Sequence, residues 1–222
     1  MHPCKTNTPK NNSVNNTKEK IIQAAIELFN QFGLVNVRIQ DIAQSAGISP
    51  GNLTYHFNTK SDLVKGVYKE MLKALDQMTI GSMSFVIGTE GWDMTIQYFI
   101  YMERFRFFYL DTLEIIRAYP DIHDSHKKQI ELELEIIENN FKFAVEKGYM
   151  NPPAISNQHY YLSNHVWITL NFWLSQGEIK GQENSGIDDG IIAIAHIIYP
   201  YLTDKGVAVF EEAIAKIKAL AN

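Results

Sequence analysis

Cysteine is almost missing from this chain: Cys4 is the only one in 222 residues, and it sits in a polar tail. A single thiol excludes an internal disulfide and a zinc site built from thiolates. Long apolar runs are missing too. None approaches the ~18 residues a membrane span needs, and the N-terminal stretch MHPCKTNTPKNNSVNN has no apolar core of a signal peptide. The expectation is a cytoplasmic protein with no membrane partner. No strand-like alternation, internal repeat or sustained heptad seam occurs, which argues against sheets, solenoids and coiled coils. Nucleophile–base pairings and glycine-rich phosphate loops are likewise lacking, so an all-helical enzyme that retains a structural helix-turn-helix is the weaker rival, and no cofactor is expected.

What is present is hydrophobic material for a core, 45% of residues, and an uneven distribution of charge. The formal net charge of −5 divides into seven Lys/Arg against four acids over residues 1–65, and thirteen against twenty-one over residues 66–222. A mildly basic head on an acidic body suits a protein that sets only its N-terminal end against phosphates. Residues 1–16 hold five asparagines and little that is apolar, and are expected as a disordered tail. From Asn16 or Thr17 a first helix carries Ile21, Ile22, Ala25, Leu28, Phe29 and Phe32 as its stripe, with Gly33 as its C-cap.

The stretch from Ile39 to Lys60 is the most telling. Ile39, Ile42, Ala43 and Ala46 fall at i, i+3, i+4 and i+7, Gly47 ends that helix, and Ser49-Pro50 starts another as N-cap and first helical residue. Helix, glycine turn, helix is the helix-turn-helix pattern. The second of these helices has only Leu53 and Phe57 as core anchors, so it is displayed, and Asn52, Thr54, Tyr55 and His56 offer groups suited to base edges and phosphates. Gly51 permits close backbone approach. Alternative roles exist for two of them: Tyr55 packed against the next helix, and His56 bonded to a carbonyl at a helix C-terminus. Thr59-Lys60-Ser61-Asp62 then reads as a capping box opening a fourth helix to about Thr79, whose positive N-terminus with Lys60 forms a phosphate clamp.

Residues 17–64, TKEKIIQAAIELFNQFGLVNVRIQDIAQSAGISPGNLTYHFNTKSDLV, resemble the DNA-binding domain of the TetR family of bacterial transcriptional regulators. The resemblance rests on Ala24-Ala25, Leu28-Phe29, Gly33, Asp41-Ile42-Ala43, Ala46-Gly47-Ile48-Ser49, Gly51-Asn52-Leu53, Tyr55-His56-Phe57, Lys60 and Leu63. It implies an all-α protein with a three-helix DNA-binding head (17–62) joined to a helical ligand-binding and dimerisation body (63–222). It further implies that Gln40, Pro50, Gly51 and Asn52 lie nearest base edges, with Thr54, Tyr55, His56 and Lys60 holding phosphates. Two positions depart from the family's habit: Thr54 stands where a tyrosine is usual, and Arg38 where a threonine is frequent. Arg38 and Ser49 complete the candidate DNA-contacting set. A homodimer through a four-helix bundle and a palindromic duplex operator are implied as well, and repression is the expected mode.

Beyond a loop at 79–91, helices are expected at about 90–108, 110–118, 121–147, 156–176 ending at Gly177, 187–203 kinked or cut short by Pro200, and 205–221. Eight aromatics lie between residues 98 and 119. Tyr98, Tyr101, Met102, Phe105, Phe108 and Tyr109, with Phe141, His165, Phe172 and Trp173 (and Trp167) from later helices, could line a cavity for a small apolar or amphipathic effector. The competing reading is a solid aromatic core in a ligand-independent DNA-organising or protein-binding module. The helices at 156–176 and 187–203 are apolar on more than one side and are expected at the subunit interface. Asp121, His123, Asp124 and His126 are poorly spaced for one metal, so no metal site is assigned. The acidic run Glu131, Glu133, Glu135 and Glu138 reads as a solvated face.

Overall fold

The computed structural model describes residues 11–80, 89–182 and 187–220. Ten α-helices cover most of them: α1 Asn11–Phe32, α2 Ile39–Ser45, α3 Pro50–His56, α4 Lys60–Ile80, α5 Thr89–Arg104, α6 Arg106–Ala118, α7 Pro120–Glu146, α8 Gln158–Ile179, α9 Ile187–Ile198 and α10 Asp204–Leu220. Among the described residues the one extended pairing is an isolated antiparallel bridge between Met150 and Leu202. The chain divides into two compact units, residues 1–72 and 73–222, with the division falling inside α4.

In the first unit, Ile21, Ala25, Ile26 and Phe29 of α1 are buried with Leu34, Val37, Ile42, Ala43, Leu53, Phe57, Leu63, Val64 and Val67. Local chemistry sets the element ends. Gly33 and Gly47 take φ of +76° and +69°, the left-handed conformation that closes α1 and the turn after α2. The Ser49 hydroxyl accepts from Asn52 N at 3.2 Å and Pro50 holds the first helical position. Thr59 and Asp62 form the reciprocal box: Asp62 N donates to Thr59 Oγ1, and Thr59 N donates to the Asp62 carboxylate, both at 3.1 Å. α1 begins earlier than the sequence suggested. It is helical from Asn11, because extending an existing helix costs far less than nucleating one. Phe32, expected in the buried stripe, is 52% exposed. Residues 1–10 of the expected tail, Cys4 included, and 81–88 of the expected loop lie outside the described residues.

In the second unit α8 packs on α6, α7 and α9, and α5 packs on α9 and α10. The expected single helix 90–108 is broken at Phe105, whose φ of −112° and ψ of 31° separate α5 from α6, and Asp111 (φ −115°, ψ 21°) kinks α6 again. Side chains take over for the disturbed backbone: Thr112 Oγ1 donates to Phe108 O at 2.6 Å, and Ser175 Oγ to Tyr109 O at 3.3 Å. Pro120 starts α7 as its first residue, and α9 stops at Ile198 before a 3-10 turn over Tyr199–Tyr201 that contains Pro200. α8 runs past Gly177, which is buried inside it; the left-handed residue beyond its end is Gly181, at φ +68°.

Candidate nucleic-acid interface and aromatic body

α3 is held by few residues. Leu53 is fully buried, and Phe57, its C-cap, is 4% exposed. The Phe57 ring lies against Gly66 of α4, where an added Cβ would come within 2.6 Å of Cε1, and Lys18 Nζ stands 5.4 Å from the ring centroid. A glycine at position 66 thus makes room for the residue that seats α3. No sequence pattern singled it out, because the need arises only from the tertiary fit.

With Leu53 and Phe57 inside, the outer side of α3 carries Pro50, Gly51, Asn52, Thr54 and Tyr55, all exposed. Tyr55 is 79% exposed and meets His56 edge-on at 5.3 Å between ring centroids, so it does not pack against α4. His56 is half-buried. Ser49 is exposed as the cap of α3, and Arg38 and Gln40 are exposed at the start of α2. The Asp41 carboxylate accepts from Arg38 N at 2.9 Å and fixes that start, while among the described residues the Arg38 guanidinium has no partner. Thr54 Oγ1 donates to Gly51 O at 3.0 Å, so its proton is already engaged and its oxygen remains an acceptor.

Lys60 corrects the sequence expectation. Its Nζ donates to Leu34 O at 2.7 Å and Val37 O at 2.6 Å, with a longer contact to Val35 O at 3.4 Å. Partial burial lowers its pKa. The ammonium therefore ties the α1–α2 connection to the start of α4, and a phosphate would have to displace those carbonyls. The positive N-terminus of α4 is likewise already met by the Asp62 carboxylate.

In the body the expected cluster gathers only in part. Tyr101, Met102, Phe105, Phe108 and Tyr109 are buried together, with Tyr101 centred 5.2 Å from Phe105, 5.8 Å from Tyr98 and 6.3 Å from Tyr109. Phe141 is buried beside His159, at 6.2 Å between ring centroids. His165 and Phe172 do not join them: both are exposed, Phe172 by 51%. Trp173 is half-buried, and its Nε1 is shut away facing Gly190, with no hydrogen-bond partner among the described residues. The Arg106 guanidinium pairs with Glu103 and, at 2.6 Å, with Glu178, joining α6 to α8.

The expected acidic face is also corrected, since Glu133 and Glu138 are both half-buried. Glu133 is half-buried, and its carboxylate accepts from Trp167 Nε1 at 2.8 Å and Gln129 Nε2 at 3.1 Å. Burial raises its pKa, opposed by those two donors. Residues two apart on a helix point to different sides, so Glu131 and Glu135 can stay exposed while Glu133 turns in. That spacing was the available signal. His126, weighed for metal, instead meets Phe108 edge-on at 5.0 Å, and burial, with His123 nearby, lowers its pKa to about 4.

Two family models match. One, described as bacterial regulatory proteins of the tetR family, covers residues 21–67, and one described as a bacterial transcriptional repressor, TetR, covers residues 68–210. The chain belongs to the TetR family of bacterial transcriptional regulators. Its head is similar to the HTH-type transcriptional regulator RutR of Escherichia coli K12, 37% identical over 68 residues. That match takes in 31% of this chain and 32% of RutR, about a third of either length. A longer match, 20% identical over 77% of this chain and 88% of its counterpart, is to the HTH-type transcriptional repressor KstR2 of Mycobacterium tuberculosis. Among solved structures, a TetR-family transcriptional regulator from Marinobacter aquaeolei VT8 aligns at a TM-score of 0.78 and 25% identity, covering 91% of this chain and 98% of that one.

Proposed function

We propose that this chain is a transcriptional repressor that binds a palindromic DNA operator as a homodimer and releases it when a small apolar or amphipathic effector enters the body. The observation that carries the DNA-binding half is the surface of α3: a seven-residue helix seated by Leu53 and Phe57, with Pro50, Asn52, Thr54 and Tyr55, and Arg38 and Gln40 of the preceding segment, exposed. Gln40, Pro50, Gly51 and Asn52 are assigned to base edges, and Arg38, Ser49, Thr54, Tyr55 and His56 to the sugar-phosphate backbone. Lys60 acts indirectly, by holding the turn between α1 and α2.

Dimerisation is supported by α8. Tyr161, Ile168, Phe172 and Ile179 recur at helical spacing and are 59%, 50%, 51% and 86% exposed, an apolar stripe that a second copy would cover. Two heads are needed to reach half-sites roughly 34–36 Å apart or a multiple of that. α4 is the helix the two units share, and an effector with different affinity for two positions of its C-terminal half would couple body to head. Among the described residues no helix is long and apolar enough to cross a membrane.

Selection of duplexes from a random pool, followed by binding measurements against salt, tests this function. The expected result is a palindromic consensus whose affinity falls steeply with salt. Recovery of no consensus contradicts it.

A further inference from the structure

Glu133 is an acid drawn in among the aromatic helices of the body with no cation to answer it among the described residues. Its contacts there are the neutral donors Trp167 Nε1 and Gln129 Nε2. The carboxylate continues a polar chain that crosses the interior. The Tyr98 and Tyr109 hydroxyls influence each other's ionisation, Tyr98 reaches Asn171 Oδ1 at 3.5 Å, and Asn171 Nδ2 donates to Trp167 O at 3.0 Å. The indole of that same Trp167 then meets Glu133. Four helices, α5 to α8, each contribute to the chain.

Glu133 lies within electrostatic range of the Tyr98 and Tyr109 hydroxyls, and its charge adds to the burial that makes both hard to ionise. The Tyr101 ring stands 5.2–6.3 Å from those of Tyr98, Phe105 and Tyr109. Ring faces carry negative potential, as does the carboxylate. Tyr98, Glu133 and Trp167 keep part of their surface accessible, whereas Tyr101, Phe105 and Tyr109 beside them are buried. A half-buried carboxylate with only neutral donors, near enough to the Tyr98 and Tyr109 hydroxyls to oppose their ionisation, lacks a positive partner.

We infer that the effector of this body is an organic cation, whose ammonium group is held by Glu133 and the rings of Tyr98, Tyr101 and Tyr109 while its apolar part lies against Phe105. This rests on reading the body as an effector site and names the class of molecule it takes. A neutral apolar effector would leave Glu133 unanswered; an anion would be repelled.

Calorimetric titration of the full-length protein with phenyltrimethylammonium and with tert-butylbenzene, its neutral carbon isostere, tests the inference. The cation is expected to bind roughly tenfold more tightly or better, and to change tryptophan fluorescence through Trp167. Glu133→Gln removes the charge at nearly the same size, though it keeps only one of the two oxygens that accept from Trp167 and Gln129, and should erase that advantage while leaving tert-butylbenzene binding unchanged. Tyr101→Leu, a second variant should Glu133→Gln fail to fold, should reduce the advantage through loss of a ring. Equal binding of the two probes to the wild type, binding of the neutral probe alone, or an advantage that survives in Glu133→Gln overturns the cation inference and leaves an effector site standing. Binding of neither probe overturns the inference and the effector-site reading together.

Discussion

The head and the body place polar chemistry on opposite sides of their packing. In the head, Leu53 and Phe57 point in and Asn52, Thr54 and Tyr55 point out, so what the unit can recognise lies on its surface. In the body, Glu133, Gln129, Asn171 and Tyr98 are drawn in among aromatic rings, while Ile168, Phe172 and Ile179 are left outside. A surface that must meet a polyanion can be built from short, locally capped helices. An interior that gathers polar groups among rings needs side chains from several long helices, and α8 keeps an apolar stripe on its exposed side.

The contrast is broken most severely at the seat of α3. Phe57→Ala removes a buried ring between Lys18 and Gly66 and should destabilise the head by about 3–5 kcal/mol. DNA binding is then lost while the protein remains a dimer by sedimentation. Loss of the dimer in the same variant would mean that the units are not separable in this way.

His126 offers a test confined to the body. Its folded pKa of about 4 lies below the ordinary 6.5, so it is neutral when folded and favours the folded state above pH 6.5. That contribution is lost as pH falls from 6.5 through 4. His126→Gln removes the titration, and the stability difference between wild type and variant should change by roughly 1–3 kcal/mol over that window and stay flat above pH 7. A constant difference in chemical denaturation at every pH would show that His126 does not stay neutral.

Lys60→Met separates a structural from a phosphate-binding lysine. Loss of its bonds to Leu34 O and Val37 O should cost about 1–2 kcal/mol of head stability, seen as a lower denaturation midpoint, with the salt slope of DNA binding unchanged. A shallower slope at unchanged stability would return Lys60 to the phosphates. Tyr55→Phe should do least. It deletes an exposed hydroxyl, leaves stability within about 0.5 kcal/mol, and weakens DNA binding by about 1 kcal/mol or less across all sequences. Anisotropy with specific and unrelated duplexes reads both.

How much of this was legible in the sequence follows from the range of the interactions. Gly33, Gly47, Ser49-Pro50, the Thr59–Asp62 box and Pro120 act on neighbours a few residues away, and the element ends they predict agree with the structure. Lys60 reaches back 23 and 26 residues to its carbonyls, so its position in a motif suggested a clamp where the fold makes a tie. Gly66 and Glu133 depend on partners in other helices. The break at Phe105 has no proline or glycine to announce it. Composition alone groups His165 and Phe172 with the body's aromatics, but the side of α8 they occupy sends them outward.

The central claim is that α3 reads base pairs, and discrimination by an Asn52→Ala variant tests it most directly. Wild type should bind its selected palindrome about a thousandfold or more above a scrambled duplex at the same salt concentration. Asn52→Ala should lose about 1–3 kcal/mol of that discrimination while binding the scrambled duplex as before. Equal affinity of the wild type for both duplexes, or discrimination untouched by the substitution, would contradict the claim.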